Sequence, residues 1–347
     1  MKASSNIAKE LPGVMDKYMD KSNGLIPKVS IIMSVYNGEK YIQEAVDSLL
    51  RQTFSDFEFL IVDDDSSDGT WTLLNSITDS RVVIFHNDQN MGLTCNLNYL
   101  IEKAKGSYIA RMDADDLCDA KRLEKEVAVL DGDETIQMVC AYSQCFGDAD
   151  ALVKTPADYE LLRAFLLFGN PITHSSVMFR KSEYHYYDTE YVKSQDFELW
   201  DRMVAKSEKI HVIKQPLVYY RIHDEQITKI GVSEQEVLTE NVLIRAAERL
   251  GLKLNEENKR IYLDLIRKKQ ISSDSDLKVA FDLLNQMRRI NRTSKIYHKQ
   301  KLFIAMGEYY LCMLKYCLSN MSISSIKLFI MLVVFSSIYK VRIGKYI

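Results

Sequence analysis

Between residues 29 and 147 the chain alternates short apolar runs with amphipathic stretches. Residues 29–36 (VSIIMSVY) are apolar and rich in β-branched side chains, the pattern of a strand buried on both faces of a sheet. Over residues 41–52 the apolar positions fall at 42, 45, 46, 49 and 50, a helical spacing with one buried stripe. The reading repeats down the chain, with strands over 57–62, 82–86, 107–112 and 137–142 and helices over 70–77, 93–104 and 121–130. Strands alternating with helices in this way predict right-handed βαβ units and a mostly parallel central sheet flanked by helices.

Past Gly147 the alternation weakens. Helical patterns cover 161–168 and 197–205, and extended ones cover 176–180 and 211–220, the last interrupted by Pro216. From residue 233 the pattern is helical and basic, without an internal repeat. The expected division is a leader over 1–27, an α/β domain over 28–230 and a basic helical region over 231–347.

Two of the predicted strands end abruptly in carboxylates. Ile61-Val62 runs into Asp63-Asp64-Asp65-Ser66-Ser67-Asp68-Gly69-Thr70, and Arg111-Met112 runs into Asp113-Ala114-Asp115-Asp116. In an open α/β sheet ligands bind at the carboxyl ends of the strands, so both runs belong to the functional edge. Crowded carboxylates repel and raise one another's pKa, and two such runs imply a cation between them. Magnesium and similar hard ions take oxygen ligands, commonly one or two carboxylates plus substrate phosphates. A single Asp/Ser/Gly run reads equally well as a turn or a helix cap; two, each behind a strand, point to metal and phosphate.

A composition of 47% hydrophobic and 27% charged residues over 347 positions places the chain among globular proteins with a substantial core. The six cysteines form no CxxC pair and no regular framework, so neither a zinc site nor a disulfide scaffold is indicated, and a reducing compartment is expected. Residues 1–27 carry no apolar stretch of signal-peptide length, so the active site is expected in the cytoplasm. The net charge of -3 hides an asymmetry: from residue 231 onward there are 20 Lys and Arg against 11 Asp and Glu, leaving 25 against 37 before it. The acidic part suits a metal, and the basic part suits an anionic membrane surface or a phosphate-bearing acceptor. No nucleic-acid partner is expected. Residues 321–339 (MSISSIKLFIMLVVFSSIY) are apolar but broken by Lys327 and several serines, short of the about 20 apolar residues a spanning helix needs. With Lys315, Lys340, Arg342 and Lys345 alongside, the segment is expected to lie in a membrane interface, with a buried bundle helix as the alternative.

The segment 27–38 (PKVSIIMSVYNG), the run Leu49-Leu50-Arg51-Gln52-Thr53, residues 62–70, Asn90-Met91-Gly92-Leu93 and Asp113-Ala114-Asp115-Asp116 occur in an order that resembles the family 2 glycosyltransferases of GT-A fold. The resemblance runs from about Pro27 to His223. It implies an inverting enzyme that moves a hexosyl or N-acetylhexosaminyl group from a nucleotide-diphosphate sugar, usually a UDP-sugar, to an acceptor hydroxyl with Mn2+ or Mg2+. The acceptor would be a saccharide or lipid-linked saccharide in surface polysaccharide assembly. By the same resemblance Ser34 and Tyr36 line the nucleotide pocket, Asp64 accepts a hydrogen bond from the base, and Asp113 and Asp115 form the DxD motif on ribose and metal, extended by Asp116. His223 resembles a position that completes the metal or diphosphate site, and His174 one that lines the acceptor side.

Asp196, in Gln195-Asp196-Phe197-Glu198-Leu199-Trp200, matches the Asp of the family's Glu-Asp motif and so resembles its general base. A positioned carboxylate in that role contributes about 10²- to 10⁴-fold, and the structural alternative is a helix N-cap. Arg221 is the better candidate for diphosphate, because a planar guanidinium can bind two oxygens. Trp200 and the tyrosines at 184, 186, 187 and 191 are candidates to stack on sugar faces. Where the family commonly has Asp-Asp-Gly-Ser this chain has Asp64-Asp65-Ser66, and Asp is expected to tolerate the left-handed backbone of that turn. A nucleotidyltransferase and a non-catalytic sugar-nucleotide-binding module are the competing readings; the first lacks a Gly-rich phosphate loop after the first strand, and the second has no need of Asp196.

Overall fold

The computed structural model describes residues 14–15, 26–224 and 232–320. They form two compact units: one holds the chain up to 152 with 173–192 and 215–223, the other holds 153–172, 193–214 and 224 onward.

The first unit is built on a sheet. Its strands are β1 (Val14–Met15), β2 (Val29–Val35), β3 (Phe57–Asp63), β4 (Val82–Asn87), β5 (Tyr108–Arg111), β6 (Leu117–Cys118), β7 (Ile136–Gly147), β8 (Ala151–Val153), β9 (Val177–Arg180) and the second half of β10 (Lys209–Ile222). They lie in the order β1-β4-β3-β2-β5-β9-β7-β10-β6, with β8 against β7. The centre, β4-β3-β2-β5, is parallel, in the register Ile31↔Phe59 and Ile31↔Ala110. Beyond β5 the sheet continues antiparallel through β9 and β7. Helices α1 (Ile42–Leu50), α2 (Thr70–Asn75), α3 (Leu93–Lys103) and α4 (Arg122–Gly132) connect the strands as the alternating pattern predicts. All seven residues of β3 are buried, which is why it is apolar but for Glu58 and the terminal Asp63.

Two details differ from the sequence reading. Within the expected leader, Val14–Met15 pairs antiparallel with His86 and Asn87 of β4. Pro216 does not interrupt β10, which runs unbroken over Lys209–Ile222 with residues 214–216 exposed.

The second unit is helical: α5 (Tyr159–Leu166), α6 (Gln195–Ala205), α7 (Val232–Leu250), α8 (Glu256–Leu263), α9 (Asp274–Ser294), α10 (Lys299–Ala305) and α11 (Gly307–Asn320). Asp158 caps α5 through the Leu161 N–H at 2.9 Å and also receives Lys301 Nζ at 2.7 Å, tying α5 to α10. Buried Asp201 on α6 accepts from Arg249 and, at 3.1 Å, from Arg245 of α7. All six cysteines are free thiols. Among the described residues no helix is long and apolar enough to cross a membrane. The apolar segment 321–339 lies outside them.

Candidate active site

Because β2, β3 and β5 are parallel, their carboxyl ends share one edge, and both acid runs emerge on it. The loops after β2 and β3 are stitched together. Asn37 N–H donates to Ser66 Oγ at 2.9 Å, Ser67 N–H returns to Asn37 Oδ1 at 2.9 Å, and Gly38 N–H reaches Thr70 Oγ1 at 2.8 Å. Glu39 N–H donates to Asp68 Oδ2 at 3.1 Å while Gly69 N–H donates to Glu39 Oε2 at 2.8 Å. Asn37 and Asp65 both take left-handed backbone, φ 51 and φ 62, so the turn expected of Asp65 is there without glycine. On this pinned loop Tyr36 stands 54% exposed, a ring left open for a planar group to stack on.

Asp64 is buried at the end of β3. Its Oδ1 accepts from Met91 N–H at 2.7 Å and Asn87 Nδ2 at 2.8 Å, and its Oδ2 from Gly92 N–H at 2.9 Å. Gly92, with φ 82 and ψ 155, supplies the backbone that turns two successive N–H groups onto one carboxylate and starts α3. Asn87 Nδ2 also donates to Asn96 Oδ1 at 2.8 Å, and Asn96 Nδ2 to Ser34 Oγ at 3.1 Å. Ser34 and Asp64 are thus joined through two buried asparagines.

The second acid run is built differently. The buried guanidinium of Arg111, on β5, pairs with both oxygens of Asp113. Ser175 Oγ lies 2.7 Å from Asp113 Oδ2 and 2.5 Å from Asp116 Oδ2. One hydroxyl carries one proton, so Ser175 cannot fully satisfy both carboxylates. Burial raises Asp116 well above the usual carboxylate range, and the charges of Asp113 and Asp115 add to it. Burial and Asp113 also raise Asp115, against the pull of His223, whose Nε2 is 3.0 Å from Asp115 Oδ2. Arg221 N–H donates to Asp116 Oδ1 at 2.9 Å. Its guanidinium sits between the rings of Tyr41 and Phe146, donating to Asp115 O at 2.8 Å and to Glu44 Oε2 at 2.7 Å.

Among the described residues, Asp113, Asp115 and Asp116 are the one group whose oxygens gather closely enough to hold a metal ion, all within 4.8 Å of one another. Three clustered hard oxygen donors, two of which keep raised pKa values despite Ser175, His223 and the Arg221 N–H, fit a divalent cation. The two acid runs were expected to share that cation. The first does not contribute to the group, because the Asp64 carboxylate is taken up by N–H donors of its own loop. Asp113 and Asp115, each 29% exposed, are the accessible members of the second.

Residues 30–190 match the profile of glycosyl transferase family 2. EpsE of Bacillus subtilis (strain 168) is 30% identical over 212 residues, 57% of this chain and 74% of that one. The chain belongs to glycosyl transferase family 2. Another relative of this transferase is WfaP of Escherichia coli, the UDP-Glc:α-D-GlcNAc-diphosphoundecaprenol β-1,3-glucosyltransferase, 28% identical over 229 residues that cover 64% of this chain and 89% of WfaP. The crystal structure of S. aureus TarS 1–349 in complex with UDP-GlcNAc superposes with a TM-score of 0.55 over 82% of this chain and 81% of that one. At 18% identity that likeness speaks for the GT-A fold. Membership makes the protein a glycosyltransferase, and the nucleotidyltransferase and non-catalytic readings fall away.

The transferase carries Asp196 in its second unit, at the second position of α6. The N-cap is Ser194, in left-handed backbone, so Asp196 is not the cap of this helix. Its Oδ2 instead accepts from Asn170 Nδ2 at 2.7 Å, which orients the carboxylate. Trp200 is fully buried and serves packing, whereas Tyr184 is 56% exposed. His174, in the first unit, is held well below the usual histidine pKa by burial and by Arg111, so its imidazole is neutral, 2.8 Å from Tyr187 OH.

Sequence reasoning missed the supports. Ser175 and Arg111 flank the Asp113–Asp115–Asp116 cluster, Asn87 and Asn96 link Ser34 to Asp64, and Arg122 is fully buried, donating to the carbonyls of Arg111 at 2.9 Å and Val177 at 3.1 Å. The one available signal was an arginine, Arg111, inside an otherwise apolar strand pattern, since a buried cation demands a partner.

Proposed function

We propose that this glycosyltransferase moves a hexosyl or N-acetylhexosaminyl group from a UDP-sugar to a hydroxyl of a lipid-linked or saccharide acceptor, with inversion, in surface polysaccharide assembly. UDP as the carrier is supported by the TarS complex with UDP-GlcNAc and by the UDP-Glc donor in the name of WfaP, and a lipid-linked acceptor by that same name. The observation that carries the reading is the crowding of Asp113, Asp115 and Asp116, with raised pKa values at the last two, on the carboxyl edge of the sheet.

In this reading Tyr36 stacks on the base, Ser34 and Asp64 shape the nucleotide pocket, and Asp113 meets the ribose. Asp115, with His223 beside it and Asp116 behind, would hold Mn2+ or Mg2+. A divalent ion bound there supplies Lewis-acid stabilisation of the leaving diphosphate, worth several kcal/mol. Arg221 keeps Asp115 and Asp116 in place and adds positive charge on the diphosphate side. Asp196 takes the proton from the acceptor hydroxyl as its oxygen bonds to the anomeric carbon and the bond from that carbon to the diphosphate breaks. We place the enzyme on the cytoplasmic face of a membrane, held there peripherally by the basic C-terminal region.

The test pairs a donor screen with one substitution. A panel of UDP-, GDP- and TDP-sugars is scored for Mn2+-dependent hydrolysis and thermal stabilisation, and D196N is then assayed for transfer and donor affinity. Transfer lower by about 10²-fold or more with donor affinity intact supports the assignment. Unchanged transfer in D196N removes Asp196 as the base, and stabilisation by no UDP-sugar removes the donor class.

A further inference from the structure

The basic character of the C-terminal region is not spread evenly. Residues 231–282 hold 9 Lys and Arg against 10 Asp and Glu, whereas residues 283–347 hold 11 against 1. That single acid, Glu308, is paired with Lys269 at 2.7 Å. The cations before residue 283 are largely consumed in the same way. Arg245 and Arg249 serve Asp201, Arg260 serves Asp264 and Asp276, and Arg267 serves Glu236 and Glu240.

The corner between α9 and α10 breaks this pattern. Arg289, Arg292, Lys295 and Lys299 are all exposed, and among the described residues none of the four has a hydrogen-bonded or ion-paired acidic side chain. Asp282, the nearest acid on the solvent-facing side of α9, lies seven residues before Arg289. The turn that presents the cations is rigidly built: buried Asn291 donates through Nδ2 to Tyr297 O at 2.8 Å, and Tyr297 N–H donates back to Asn291 Oδ1 at 2.9 Å. Lys295 closes α9 in left-handed backbone at φ 54.

Helix dipoles explain only part of the arrangement. Arg292 and Lys295 fall at the C-terminal end of α9, where a cation is favoured, but Lys299 is the first residue of α10, where it is not. Four exposed cations at the end of α9 and the start of α10, unpaired among the described residues and followed by a C-terminal stretch with no acid after Glu308, suit an anionic partner broad enough to meet them together. We infer that the α9–α10 corner is a docking surface for anionic lipid headgroups. The inference rests on the peripheral-membrane reading above and assigns it a surface outside residues 321–345.

The 347-residue chain is tested by co-sedimentation with neutral phosphatidylcholine vesicles and with vesicles containing about 30 mol% phosphatidylglycerol, without donor or acceptor. A variant with Arg289, Arg292, Lys295 and Lys299 changed to Gln is compared with a control in which Lys121, Lys154, Lys253 and Lys278 are changed to Gln. Each cation near an anionic surface is worth about fivefold in partitioning, so the corner variant should lose at least about tenfold on the anionic vesicles and the control less than about threefold. Equal binding by the corner variant and the wild type overturns the inference and leaves the attachment to residues 321–345. Equal wild-type binding to neutral and anionic vesicles overturns it as well, since apolar insertion then suffices. Tighter wild-type binding to an RNA of about 20 nucleotides than to the vesicles reassigns the corner to nucleic acid. Absence of wild-type binding to either vesicle removes both the inference and the membrane reading, while leaving the transfer chemistry untouched.

Discussion

The two acid runs look alike in the sequence and differ in what surrounds their carboxylates. In the first, the acids meet donors: Asp64 takes three N–H bonds, and Asp68 accepts from Thr70 Oγ1 and from the backbone of Thr70 and Glu39. Burial pushes Asp68 up, but those hydrogen bonds win and hold it below the usual range. In the second run the acids also meet one another, and burial with that mutual repulsion outweighs their donors, so Asp115 and Asp116 are raised. A carboxylate ringed by N–H groups organises a loop; carboxylates facing carboxylates are set for a cation. Position at a strand's carboxyl end therefore locates the functional edge without saying which acids do chemistry there.

The largest effect that would separate the runs is on activity. D115N should lower kcat/KM by at least about 10³-fold, roughly 4 kcal/mol of leaving-group stabilisation, while leaving the melting temperature without divalent ions unchanged or higher, because one repelling charge is gone. Steady-state kinetics with Mn2+ and a melt in EDTA read the two halves. A large drop in melting temperature would show that Asp115 is structural after all.

D64N should do the reverse. An amide has one acceptor oxygen and turns an NH2 toward a backbone N–H, so the variant loses a charge-assisted bond and gains a donor facing a donor. The expected cost is about 2–4 kcal/mol of stability in a urea melt, with weaker nucleotide binding as a consequence of the loosened loop. Unchanged stability with lost donor binding would instead make Asp64 a direct ligand of the base.

The runs also predict opposite pH signatures. A raised folded-state pKa, as at Asp116, contributes stability that is present below the ordinary carboxylate pKa of about 4 and is lost as pH rises through the folded value. A depressed one, as at Asp68, contributes stability above about pH 4 that is lost as pH falls through its folded value. Melts against pH in EDTA should therefore show a decline toward neutral pH that D116N removes and Mn2+ reduces, and a smaller acid-side decline that D68N removes. The same slopes in wild type and D116N would mean that Asp116 titrates in the folded state as it does in the unfolded chain.

Much of the fold was legible because the parallel centre announces itself. β2 and β3 are mostly apolar and almost wholly buried, and α1 between them keeps a single stripe. The site was legible only in its acids, since Asp, Ser and Gly at strand ends are local features. The supports were not, because they depend on pairings of distant residues: Ser175 with Asp113 and Asp116, Asn96 with Ser34, Glu44 with Arg221. Nothing in the local pattern around Ser175 marks it as the hydroxyl shared by two carboxylates. The antiparallel strands beyond β5 were likewise hidden, because an extended segment does not carry the direction of its neighbour.

Asp65 offers the smallest and sharpest test of the first run. It occupies φ 62, a conformation that costs a non-glycine residue about 1 kcal/mol or more, and glycine would remove that strain. Glycine also gives the unfolded chain more freedom, at a cost of about 0.4–1 kcal/mol, so the two effects nearly cancel. D65G should therefore shift stability by no more than about 0.5 kcal/mol and leave donor affinity intact, as read by a urea melt and by UDP titration. A loss of donor affinity would place the Asp65 side chain itself on the ligand. That outcome would move the first run from loop-building toward the chemistry that the second run's carboxylates carry.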